Sequence, residues 1–399
     1  MNKKKVVLAF SGGLDTSFCS IYLAKDLNLE VHTVVVNTGG FSEQDLRHIG
    51  ERAQLLGSVS HTVIDETLNY YEDTLKYLIF GNVLKNATYP LSVSAERVCQ
   101  ATAVARYAKK IGAGYIAHGS TGAGNDQVRF DMIFEILIPE AKVITPIRDL
   151  KLSREQEIEY LKKHGIEINA EKARYSINKG LWGTSVGGRE TLGSFGYLPD
   201  EAWPTPVTKT GSERITITFE HGEPVALNEV KTPPVALIGE LQELAQPYGI
   251  GRDIHVGDTI IGIKGRVGFE AAAPVILVKA HHMLEKHVLT KWQLNWKEQI
   301  GAFYGNFLHE GQFHDPVMRN MEAFLQSSQQ KVSGKVTIDL YPHYFTVIGI
   351  ESPNDLMSDD FGTYGEMNNS WSGEDVKGFS KIFGNQVSIW HKIHQNESV

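Results

Sequence analysis

The chain has 399 residues and a formal net charge of −8, with a pI near 6.0. That length exceeds what one ordinary core fills, so two domains are expected, and the acidic balance removes any electrostatic reason to expect a nucleic-acid partner. Cys19 and Cys99 are isolated thiols, no secretory signal pattern opens the chain and no run nears the ~20 apolar residues of a membrane span, so a reduced, cytoplasmic protein that touches no membrane is expected.

Val6 to Phe10 is a short, nearly all-apolar run, which predicts a parallel strand buried on both faces. Ser11, Gly12 and Gly13 make the tight turn after it. Asp15, Thr16 and Ser17 then open a helical pattern that continues through Ile21, Leu23, Ala24 and Leu27. A helix starting there presents unpaired N–H groups and the positive end of its dipole, and the bare backbone at Gly12 and Gly13 lets phosphate oxygens approach. No lysine follows Gly13, so the loop lacks the Walker grip on a terminal phosphate. It suits pyrophosphate as a leaving group better than terminal phosphoryl transfer.

Val31 to Val36 predicts a second strand, and Ser42 to Leu56 a helix capped by Ser42 with Asp45 at the capping-box offset. Val59 to Ile64 is a third strand, Asp65 starts a helical stretch through Leu78, and Ser94 to Ile111 is a further helix. Gly114 to Ala117 and Lys142 to Thr145 supply two more strands, and Ser153 opens a charged helix to Lys163 with Gln156 at the box position. This alternation predicts an α/β fold, a doubly wound parallel sheet whose ligands sit outside the carboxyl ends of the strands.

That rule singles out His118 to Phe130, HGSTGAGNDQVRF, after the strand ending at Ala117. Its glycines allow close backbone approach, Thr121 and Asn125 can bind a carboxylate or amide, Asp126 can hold an ammonium and Arg129 can clamp a carboxylate. Read alone, the stretch serves equally well as a helix cap followed by a surface arginine. Arg97, at the start of the SAERV helix, reads as a solvated helix arginine ahead of a ligand contact.

The second half mixes strands and helices without strict alternation, which predicts an α+β domain. Arg214 to Phe219 is a half-buried strand that turns at His221-Gly222 into Pro224 to Leu227; a helix starts at Thr232 and ends by Pro247 and Gly249. One long helix is expected from Ala272 to about Leu308, and Lys331 to Leu340 with Tyr344 to Glu351 form paired strands. His281, His282 and His287 beside Glu285, with His391 and His394, lack any HExxH pattern, so no residue is assigned to a metal. From Glu366 onward, Trp371, Phe379, Ile382, Phe383, Ile389 and Trp390 stand in a polar segment too short to bury them alone, so another surface must cover them, the chain's own second domain being one candidate.

SGGLDTS, Ser11 to Ser17, resembles the pyrophosphate loop of the ATP pyrophosphatase (PP-loop) families, whose fold is of the HUP, adenine nucleotide α-hydrolase type. Read with Gly119 to Phe130, Tyr89 to Ser94 (YPLSVS), the serines at 176 and 185, IGIKGRVGFE (Ile261 to Glu270) and AHHMLEKHVLTKW (Ala280 to Trp292), it is similar to the argininosuccinate synthases over most of its length. The resemblance implies an ATP-binding domain over 1–169, a synthetase domain over 170–365 and an oligomerisation arm over 366–399 of a homotetramer. It implies ATP on Ala9, Phe10, Ser11, Gly12, Gly13, Leu14, Asp15, Thr16 and Ser17, with Val36 and Gly119 beside the nucleotide and magnesium on its phosphates. Aspartate would be held by Thr121, Asn125 and Asp126, and citrulline by Tyr89, Ser94, Asn125, Arg129, Ser176 and Ser185. Asp126 is the candidate for orienting the attacking amine, a positioning role.

Three departures qualify the resemblance. Ala123 stands where that family usually has lysine, and its citrulline-contacting glutamate and tyrosine align with Gly257 and Phe269, with Asp258 adjacent to the lost carboxylate. An alternative reading therefore keeps the chemistry but takes citrulline with an uncharged, N-acylated α-nitrogen. A transfer-RNA-modifying PP-loop enzyme would show a basic face and paired cysteines, and a non-catalytic nucleotide-binding module has no need of GNDQVRF.

Overall fold

The first sheet is laid down by β1 (Lys5–Ala9), β2 (Glu30–Asn37), β3 (Ser60–Asp65), β4 (Tyr115–Ala117) and β5 (Lys142–Ile144), all parallel, in the order β3-β2-β1-β4-β5. The coordinates are a computed structural model, describing residues 3–167, 175–366 and 370–394; the expected boundary between residues 169 and 170 lies outside them. β1 is the central strand and is apolar because helices cover both of its faces. Val6 and Leu8 pack with Phe18, Ile21 and Leu23 on one side, and Val7 packs on the other with Val34, Leu78, Val98 and Ala101.

The capping boxes form as the sequence predicts. Ser42 Oγ accepts the Asp45 N–H and Asp45 Oδ2 accepts the Ser42 N–H at 2.9 Å; Ser153 and Gln156 repeat the arrangement. The stretch from Asp65 is not one regular helix, because Thr67–Tyr70 and Lys76–Phe80 are joined by a wider π-turn over Tyr71–Leu75. The wider turn allows the successive Tyr70 and Tyr71 both to be buried, Tyr71 donating to Glu223 at 2.8 Å.

Two antiparallel sheets follow. The hairpin β6 (Ser176–Gly180) and β7 (Gly183–Gly187) joins β11 (Arg252–Asp258) and β12 (Lys264–Glu270) in the order β11-β12-β7-β6. β8 (Glu213–Glu220), β9 (Glu223–Leu227), β10 (Val230–Lys231), β13 (Gly334–Tyr341) and β14 (Tyr344–Glu351) make the other, ordered β10-β9-β8-β13-β14. The expected long helix is two, Ala272–Val288 and Lys291–His309. Leu289 is extended and Thr290 with Gln293 forms a capping box, a stop-and-restart signal present in the sequence.

Helices of the two halves are joined by a polar cluster in which Lys297, Glu285, His281 and Gln329 are buried and Asn82 half-buried. Lys297 Nζ meets Glu285 Oε2 at 2.8 Å and donates to the Phe80 carbonyl at 2.6 Å. Asn82 and Gln329 each donate to Glu285, and His281 lies between their two amide oxygens. His281, whose helical spacing alone reads as a helix-surface or subunit-contact position, is thus a buried connector.

Close backbone approach sets the crossing of Lys76–Phe80 with Lys291–His309: a Cβ at Gly301 would stand 2.3 Å from the Gly81 carbonyl oxygen. Gly301→Ala is expected to destabilise the protein by about 1–3 kcal/mol through overpacking. Gly239, helical with open space where its Cβ would be, provides the opposite sign, Gly239→Ala stabilising by about 0.5–1 kcal/mol. Urea unfolding of the two variants measures both.

Residues 355–399 form a separate unit from residues 1–354. In it, Ser372 caps the helix Gly373–Phe383, and Asn385–Ile393 follows. Trp371, Phe379, Ile382, Phe383, Ile389 and Trp390 are all exposed. Among the described residues no helix is long and apolar enough to cross a membrane.

Candidate active site

The chain runs from β1 to β2 on one side and reaches β4 on the other, so the carboxyl ends of β1 and β4 flank a switch point, where open parallel sheets bind ligands. A cleft of about 920 Å³ opens there. On its β1 side, Gly12 takes φ +75, and Gly13 is extended ahead of the helix Leu14–Lys25 without any side-chain cap. The first-turn N–H groups are therefore left for an anion. Ala9, Phe10, Ser11, Asp15 and Thr16 line the cleft, whereas Gly12, Gly13, Leu14 and Ser17 do not contribute to its lining. Ser17 is buried behind the loop, donating to the Gly13 carbonyl at 2.6 Å and accepting from Arg52 at 2.9 Å. Val36 and Gly119 line the same end.

The second loop is braced by its own side chains. His118 Nδ1 accepts the Ser120 N–H at 3.2 Å, which leaves Nε2 to donate to Asp131 at 2.9 Å. Gln127 donates to the carbonyls of Gly122 and Gly124, and Asn125 Oδ1 accepts the Ile260 N–H at 2.8 Å. Thr121, Asn125 and Asp126 line the cleft; Ala123 is exposed and does not.

Asp126 stands between two arginines, 3.0 Å from Arg97 Nε and 2.8 Å from Arg129 Nη1. Burial pushes its pKa up, but the two guanidiniums outweigh that and hold it below the usual carboxylate range. Arg129 also donates to Ser94 Oγ and to the His309 carbonyl. Arg97 is not the solvated helix arginine that the sequence reading favours: it donates to Gln100 and to Asn178, each at 2.8 Å. Arginines of two helices thus meet on one carboxylate, and Arg97 ties it to the hairpin through Asn178.

Tyr89, buried, accepts at its hydroxyl from Ser92 Oγ and the Val93 N–H, while burial pushes its pKa up. Ser185 pairs directly with Asn178 across β6 and β7, and Ser176 is two residues from Asn178, so all three side chains share one face. Tyr89, Ser94, Arg129, Ser176 and Ser185 all line the cleft. Sequence reasoning missed Glu96, Gln100, Asn178, Lys179 and His255 there. Glu96 and Gln100 share a helix face and a hydrogen bond of 3.0 Å, a spacing that the sequence does carry.

His309 and His255 sit beside Arg129 and Lys85. Burial, then Arg129 and Lys85, lower the His309 pKa to about 3, and burial followed by Lys85 lowers that of His255. Between pH 6.5 and about 3 the unfolded chain therefore binds more protons at His309 than the folded one, and stability rises with pH across that window. His309 alone is expected to cost about 2–3 kcal/mol when the pH falls from 7 to 4.5. Urea midpoints across that range check the slope.

Residues 5–167 match the family model described as the arginosuccinate synthase N-terminal HUP domain, and residues 175–390 match that of the arginosuccinate synthase C-terminal domain. The chain belongs to the argininosuccinate synthase family. It is 36% identical to the argininosuccinate synthase of Xanthomonas campestris over 407 aligned residues, covering 99% of this chain and all of the relative. The corresponding enzyme of Methanocaldococcus jannaschii is 37% identical, with 96% of this chain and 97% of the relative covered. That of Pyrococcus furiosus is 36% identical, with 99% and 97% covered. The HUP description agrees with the parallel five-stranded sheet, and the antiparallel sheets accompany the C-terminal match.

Of the positions at which this synthase family member departs from the pattern, Gly257 lines the cleft and Phe269 is buried behind it, its ring 5.4 Å from that of Tyr89. Asp258 is paired with Lys264 at 2.5 Å on the exposed rim.

Proposed function

We propose that this protein condenses a citrulline with aspartate at the expense of ATP, releasing AMP and pyrophosphate. The observation that carries the reading is the pairing of an uncapped, lysine-free glycine turn with a braced second glycine loop at the switch point, in a chain of this family. ATP lies on Ala9 to Ser17, with Val36 and Gly119 beside it, aspartate on Thr121, Asn125 and Asp126, and citrulline on Tyr89, Ser94, Asn125, Arg129, Ser176 and Ser185. The ureido oxygen attacks the α-phosphorus and pyrophosphate leaves. The aspartate amine, having given its extra proton to solvent, then attacks the ureido carbon, and the carbon–oxygen bond to AMP breaks.

Catalysis on this reading is alignment of three substrates plus stabilisation of the departing diphosphate by main-chain N–H groups, so no strong general base is required. Asp126 orients the amine through the arginines that fix its own position. Asp15, Ser11 and Thr16 would supply oxygen donors at that end of the cleft to a nucleotide-bound magnesium, whose charge would offset that of the phosphates. The domain division at 169/170 and 365/366, the cytoplasmic location and a homotetramer built with the exposed aromatic arm belong to the same proposal. Turnover with citrulline labelled at the ureido oxygen tests the chemistry: the label is expected in AMP, and ADP as product would overturn it.

A further inference from the structure

The amino-acid end of the cleft has an unusual charge inventory. Glu96 accepts from Thr38 and Gln100, Asp126 is shared by Arg97 and Arg129, and Asp258 is paired with Lys264. These three cleft-lining carboxylates are thus each engaged. In their place stands His255, only 6% exposed, lining the cleft with its ring stacked 5.1 Å from that of Tyr89. Its Nδ1 is buried with no hydrogen-bond partner. Its Nε2 lies 2.4 Å from where a Cβ at Gly257 would be, so a side chain at 257 and this placement of His255 exclude each other. Gly257 pairs directly with Gly265, and both line the cleft, leaving a strip of bare backbone next to the imidazole.

Among the described residues, an α-ammonium placed here would find the three carboxylates named above already engaged, and Lys85 helps to keep His255 neutral against the opposing pull of Asp253, which does not line the cleft. A neutral imidazole has one N–H and one lone pair. A secondary amide likewise has one donor and one acceptor, and its acyl tail needs the room that two facing glycines leave. Resting on the synthase reading above, we propose that this cleft takes a citrulline whose α-nitrogen is acylated, and that His255 is the residue that selects for the amide.

The test compares free citrulline with N-acetylcitrulline, scored by AMP release with ATP and aspartate. The acetylated form is expected to have the higher kcat/KM by roughly 10- to 100-fold, the range for a charged group left unpaired. His255→Ala is expected to raise KM for the acetylated form more than for the free one. The double variant His255→Ala/Gly257→Glu, which supplies a carboxylate in the vacated space, is expected to reverse the preference; a merely structural His255 would lower both substrates alike. Equal or better use of free citrulline by the unaltered protein, or its selective loss in Asp258→Asn, overturns the proposal. AMP release with neither form would remove the synthase reading itself and the proposal with it.

Discussion

Asp126→Ala is expected to lower citrulline-dependent AMP release by at least about 10²-fold, the scale associated with small misplacement of reacting groups. Its carboxylate separates Arg97, which holds Asn178 on β6, from Arg129, which holds Ser94 and the His309 carbonyl. Without it two guanidiniums of like charge face each other in a poorly hydrated pocket, and the side chains they position move with them. Asp126→Asn keeps the shape and one acceptor, so it is expected to retain more activity than the alanine variant. Steady-state kinetics with all three substrates separates the effects: a positioning role lowers kcat and kcat/KM together. Activity within threefold of the unaltered protein would remove Asp126 from the site.

Glu285→Gln is expected to destabilise the fold by about 3–5 kcal/mol, because it leaves Lys297, 0% exposed, as a buried cation without its partner. The loss reaches further than one ion pair, since Asn82, Gln329 and His281 are arranged around the same carboxylate. The double variant Glu285→Leu/Lys297→Met removes both charges and is expected to recover a good part of that loss, since replacing a buried pair costs far less than breaking it. Urea unfolding of the single and double variants measures the difference. A single variant as stable as the original would mean that Lys297 had reached water or lost its proton.

Both groups illustrate where sequence reading stops. Glu285 and His281 look like surface residues of an amphipathic helix, and only the packing of Lys291–His309 and Gln329 against them buries the set. Arg97 reads as solvated for the same reason: its partners Asp126 and Asn178 lie 29 and 81 residues away. The single long helix expected over Ala272 to Leu308 fails for a local reason, the cap at Thr290, which outweighs the run of helix-favouring residues on either side.

By itself, the sequence determined the parallel sheet, the glycine turn at the head of the first helix and the second glycine loop, because strand burial, turn chemistry and caps depend on residues within a few positions of one another. It also carried the family resemblance and the departure at Gly257. Tertiary structure alone decided that Ser176, Asn178 and Ser185 share a face, that one carboxylate serves two arginines and that His255 folds over Gly257. Those outcomes depend on contacts between segments remote in the chain, where burial strips away water and makes each charge and each methyl-sized space count.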